Sequence, residues 1–118
     1  GCKFVRLLQD PEAIAIFRVI IAEAVNSPHV ATLFYQAGPE ASLSTLSDVI
    51  EKFGEGSLSR DIAQQLAVDY CALLKGEYHT MMLCGIQSPL QDEAITAHVN
   101  SAAEKILLLF THYTQQRN

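Results

Sequence analysis

The sequence predicts an all-α domain, a bundle of about five helices plus the tail of a connecting helix at the N-terminus. Three observations carry this reading. The segments between punctuation marks run roughly 10 to 25 residues, too long for ordinary strands. Their ends carry helical start and stop signals. No segment holds a hairpin signal such as Asn-Gly between two alternating runs.

Taken in order, Phe4-Val5-Arg6-Leu7-Leu8 reads as the end of a helix already under way, so Gly1 to Gln9 is expected to be the tail of a connecting helix. Asp10-Pro11-Glu12 starts the next, with Asp at the cap, Pro in the first turn and Glu beside the positive end of the dipole. Ile14 to Val25 is rich in β-branched residues, but its length and two capped ends favour helix. Only Arg18, Glu23 and Asn26 interrupt its apolar surface, which predicts a central helix covered on several sides.

Asn26-Ser27-Pro28 ends that helix and caps another, and at Gly38-Pro39-Glu40 a Gly terminates and a Pro restarts. From Pro39 to Phe53, Leu43, Leu46, Val49, Ile50 and Phe53 form one stripe, with Thr45, Asp48, Glu51 and Lys52 opposite. Gly54-Glu55-Gly56-Ser57 is a loop, Asp61 opens a long segment, and Gly85 through Pro89 breaks it. Asp92-Glu93 opens the last helix, expected to run to about Thr114.

The two long helices have apolar arcs of roughly 160°, where a surface helix needs only about 100°. The excess predicts a second apolar contact, most simply another copy of the chain. Leu66, Leu73, Tyr78 and Met81 on the first, with Val99, Ala102, Ile106, Leu109 and Tyr113 on the second, are the expected interface of a homodimer.

Composition bounds the function. A chain of 118 residues with 49% hydrophobic and 18% charged residues is one folded domain, 1–118, and not a disordered segment. The longest strongly apolar run, Ile106 to Phe110, is far too short to span a bilayer. The formal charge of -5 and the scattered basic residues argue against nucleic-acid binding by these residues themselves. Three cysteines, Cys2, Cys71 and Cys84, fit no disulfide framework and point to a reducing compartment such as the cytoplasm.

Motifs for chemistry are missing. His29, His79, His98 and His112 are dispersed, and Cys71, His79 and Cys84 differ too much in angle to share a metal on a straight helix. There is no nucleophile elbow, phosphate loop or Cys-x-x-Cys, so neither an enzyme nor a cofactor is expected. Polar residues within apolar arcs have two readings each. Arg18 is either a buried ion pair, with a carboxylate such as that of Glu23, or a clamp for an acidic ligand. Glu77 either faces a pocket or is turned outward by a bend at Gly76. Tyr70 and Tyr78 suit a core, a dimer seam or a pocket, and Met81-Met82 a core gap or a soft pocket wall.

Phe17-Arg18-Val19-Ile20-Ile21-Ala22-Glu23-Ala24, then Ser27-Pro28, then Leu33-Phe34-Tyr35-Gln36-Ala37-Gly38-Pro39, resembles the C-terminal domain of TetR-type transcriptional regulators, in particular the AefR-like variety. Leu73-Leu74-Lys75-Gly76-Glu77 and the apolar final helix fit the same pattern. The resemblance implies a homodimeric repressor, paired through its last two helices, whose separate N-terminal helix-turn-helix domain binds DNA. That domain does not precede Asp10 in these residues. It also implies that a small, mostly apolar effector enters the bundle and releases the operator. Phe17, Ile21, Leu46, Ile50, Tyr70 and Leu74 are the expected lining, with Arg18 or Glu77 as the orienting polar contact. The alternative is a helical homodimerisation or adaptor module with no small-molecule site.

Overall fold

The computed structural model describes residues 1–115. They form six α-helices, α1 Cys2–Gln9, α2 Pro11–Glu23, α3 Pro28–Tyr35, α4 Ala41–Phe53, α5 Arg60–Leu83 and α6 Asp92–Gln115, with a π-helical turn at Gln36–Glu40 and no strand among the described residues. The expected all-α bundle is what the chain adopts.

Several starts follow the expected chemistry. The Asp10 carboxylate accepts the backbone N–H groups of Glu12 (2.9 Å) and Ala13 (3.4 Å) and caps α2. Pro28 occupies the first turn of α3 after Ser27. Ser59 caps α5 by accepting from the Ile62 N–H. The expected break at Gly38-Pro39 does not occur. The chain runs from α3 into α4 through the π turn, with Pro39 inside it. Proline has no N–H to donate, and the wider turn absorbs the interruption.

The helix at the centre of the packing is α5. Its Ala63, Leu66, Ala67, Leu74 and Met82 are buried, and it packs against α1, α2, α4 and α6. On α4, Leu43, Leu46 and Ile50 turn inward, but Val49 and Phe53 are exposed, so the buried face is rotated from the expected stripe. Ser47 takes the inner position at 1% exposure, its hydroxyl donating to the Leu43 carbonyl at 2.7 Å. A small residue there, facing a helix that buries Ala63 and Ala67, allows close approach of the two.

On the other side, Val5 of α1, Leu74 of α5, and Ile95 and Ala102 of α6 form a closed core. Gln9 ties α1 to the α5–α6 connection at two points. Its Nε2 donates to the Leu90 carbonyl (3.2 Å), and its Oε1 accepts the Leu90 N–H (2.8 Å).

One difference from expectation, and one bend that the sequence had offered as a reading, have physical causes. First, α2 is peripheral. Only Ile14 is buried in it, while Ile16, Val19, Ile21 and Val25 are exposed, Val25 at 90%. The protomer is a slab with extents of 48 × 37 × 17 Å, about two helix layers thick, so α2 has a neighbour on one side only. Second, α5 is kinked at Gly76 (φ 55, ψ -170). His98 of α6 fills the kink, its Nε2 donating to the Leu74 carbonyl at 2.6 Å. A Cβ on Gly76 would stand 2.9 Å from the His98 ring.

Candidate functional site

An apolar cavity of about 280 Å³ opens between the first five helices. Phe4, Leu7 and Leu8 of α1 form one wall. Ala13, Ile16 and Phe17 of α2 form the second, joined by Phe34 of α3. Pro39 of the π turn and Ser42 and Leu43 of α4 close the third, and Cys71 and Lys75 of α5 supply the floor. A shallower groove of about 480 Å³ opens beside it between α4 and α5, lined by Leu46, Val49, Tyr70 and Leu74 among others.

Phe17 holds the wall together. Its ring meets Phe34 edge to face (5.4 Å between centroids) and His79 likewise (5.2 Å), so three helices are joined by one aromatic chain. The neighbouring Arg18 anchors the same helix. Its Nε donates to the Leu83 carbonyl (2.9 Å) and its Nη2 to the Met82 carbonyl (2.8 Å). Both carbonyls lie at the C-terminal end of α5, where a cation is favoured, and that of Met82 also accepts the Gly85 N–H. Arg18 is exposed, has no carboxylate within salt-bridge distance among the described residues and does not line the cavity, so it is neither the buried ion pair nor a group aimed into the cavity.

The structure therefore separates the expected lining residues. Phe17 lies in the cavity, while Leu46, Tyr70 and Leu74 lie in the adjoining groove. Ile21 is on the exposed side of α2, and Glu77 is exposed just past the kink. Ile50 is half-buried and lines neither.

The expected interface residues also divide. Leu66 and Ala102 are fully buried within the protomer, where a partner cannot reach them. Leu73 and Val99 pack on the closed core. Tyr78, Met81, Ile106, Leu109 and Tyr113 are half-buried. The exposed apolar residues of the long helices are others: Val68 on α5, and Leu107 and Leu108 on α6, Leu108 at 72%. A stripe at helical spacing points first to a helix's own core, and the leftover flank is what a partner can use.

Electrostatically the cavity is simple. Burial pushes the Cys71 thiol up despite the nearby Lys75 ammonium, so it is uncharged at neutral pH. Behind Phe17, burial holds His79 below the usual histidine range, with Lys75 a second cause in the same direction. His79 Nε2 is buried without a hydrogen-bond partner among the described residues, which favours the neutral ring. Lys75 is thus the charged group of the lining. Cys71 and Lys75 stand four residues apart on one face of α5 ahead of the Gly76 kink, a spacing that could have paired them from the sequence. Phe4, Leu7 and Leu8 gave no such signal, because α1 read as a stub.

No group of three or more histidine, cysteine or acidic side chains gathers to hold a metal among the described residues. No helix of the described residues is long and apolar enough to cross a membrane. The arrangement is that of an all-α regulatory domain, an apolar cavity enclosed by packed helices. The chain belongs to the family of AefR-like transcriptional repressor C-terminal domains, which residues 1–112 match. Neither a curated protein nor a solved structure matches it.

Proposed function

We propose that this domain senses a small, mostly apolar effector and dimerises, within a cytoplasmic repressor whose DNA-binding domain lies elsewhere in the protein. The observation that carries the reading is the wall that α1 gives the cavity. Phe4, Leu7 and Leu8 line it directly, and α1 is the helix that would lead to a DNA-binding head. A ligand seated there touches α1 without any relay. Binding then favours one position of α1 through its differential affinity for the two, and release of DNA follows from that population shift.

The dimer has its own support. The accessible surface is 7753 Å², where a compact monomer of this mass has about 6,350 Å². The excess is larger than the roughly 800 Å² that each partner buries in a standard interface. The radius of gyration, 15.9 Å, likewise exceeds the about 13.5 Å of a compact chain of this length. The exposed flank of α6 at Leu107 and Leu108 is the proposed seam.

Thiol labelling tests the cavity. Decan-1-ol is expected to slow modification of Cys71, which lines the cavity, and to leave the exposed Cys84 unaffected. Phe17→Ala is expected to remove that protection. Sedimentation tests the seam: the chain is expected to be dimeric, and Leu107→Glu with Leu108→Glu monomeric. Unprotected Cys71 in a dimeric chain overturns the effector reading and leaves a dimerisation module.

A further inference from the structure

The cavity lining is apolar except on α4 and α5. On α5, Lys75 lines the cavity and is itself exposed. No carboxylate lies within 4 Å of it among the described residues, whereas Arg60 holds Asp48 and Glu51, and Arg6 holds Asp92. The other titratable group of the lining, Cys71, is an uncharged thiol at neutral pH. Ser42 adds a hydroxyl from the facing helix. The site thus carries a single positive charge beside an apolar volume.

Size narrows the occupant further. An apolar cavity of about 150 Å³ holds benzene. The about 280 Å³ here suits an apolar body of roughly ten carbons on the same scale. A neutral apolar ligand leaves Lys75 unused, and a cationic one meets repulsion. A ligand with an anionic head gains a charge-assisted hydrogen bond with Lys75 while its body fills the cavity.

We infer that the effector of this domain is an apolar monocarboxylate of about ten carbons, its body between α1, α2 and α4 and its carboxylate on Lys75. The inference rests on the effector reading above and specifies its ligand class. It also makes Lys75, rather than Arg18 or Glu77, the orienting polar contact.

Calorimetric titration of the 118-residue chain with three probes of equal length tests it. Decanoate is expected to bind up to about fivefold more tightly than decan-1-ol, the range of a partly exposed ion pair, and decyltrimethylammonium more weakly than either. Lys75→Met is expected to abolish the preference for decanoate over the alcohol, while Lys75→Arg keeps it. In the unaltered chain the preference is expected to shrink with added salt. The inference is overturned if decan-1-ol binds the unaltered chain as tightly as decanoate. It is also overturned if Lys75→Met keeps the preference, or if salt leaves it unchanged. If none of the three probes binds or protects Cys71, the effector reading beneath it falls as well, a result distinct from the first three.

Discussion

On one side of α5, the side chains of Val5, Leu74, Ile95 and Ala102 close into a core. On the other, α2, α3 and the π turn stand off and leave about 280 Å³ open. The same helix serves both sides, with different fastenings. The closed side is held by the Gln9–Leu90 clamp and by His98 in the Gly76 kink. The open side is held by the Phe17 ring and two hydrogen bonds from Arg18. Fewer buried contacts mean a lower local cost of opening. The effector reading proposed above uses this division: one half keeps its shape while the other admits a ligand and shifts.

Core truncation gives the largest expected effect. Ile95 is 1% exposed, and Ile95→Ala is expected to cost about 2–5 kcal/mol. Leu43→Ala, on the cavity wall, is expected to cost about 1 kcal/mol, because the space beside it is already empty. Urea denaturation at one fixed protein concentration measures both, and equal costs would erase the distinction between the two sides. Next in size is Gly76→Ala. The backbone there lies near a region that essentially only glycine occupies, and a Cβ meets His98, so a loss of about 1–3 kcal/mol is expected. His98→Ala in the same background is expected to recover the part due to collision and not the part due to the backbone.

Arg18 sharpens the comparison from the open side. Arg18→Met keeps the apolar stem and removes both bonds to the end of α5, at a cost of about 1 kcal/mol. Its diagnostic is location. Amide exchange is expected to rise in α2 and to stay constant around Ile95 and Ala102. A uniform rise would mean that the two sides do not open separately.

How much of this was legible depended on the range of the interaction. The Asp10 cap, the turn at Gly54 and the break before Asp92 are local chemistry, and the sequence states them. The position of α2 was not legible. An all-round apolar helix reads as central, but it can also lie at the edge of a thin slab with its outer face left for another surface. Leu66 and Ala102 failed as interface residues for a related reason: periodicity finds an apolar arc without saying which flank faces inward. Phe17 was legible as a lining residue because it sits mid-helix on an apolar stretch. Lys75 was passed over because a lysine on a helix ordinarily means a solvated face, and only the third dimension puts it beside Cys71 at a cavity.

The smallest effect concerns His79, the last ring of the aromatic chain behind the cavity. Burial, and then Lys75, holds its folded pKa below the usual histidine value. Between the folded value and the unfolded one of about 6.5, the unfolded chain carries more protons than the folded chain. Stability therefore rises with pH across that window. It is fully present above about 6.5 and is lost as the pH falls toward the folded value. Because the ring is only half-buried, the change is expected to be no more than about a few tenths of a kcal/mol. His79→Leu is expected to flatten that part of the melting-temperature profile between neutral and mildly acidic pH, and Lys75→Met to reduce it in part. A ligand that tightens the Phe17 wall buries His79 further and should steepen the slope. If decan-1-ol, which leaves the Lys75 charge in place, raises the melting temperature equally at every pH in the window, the aromatic chain does not link the cavity to His79, and the open side ends at Phe17.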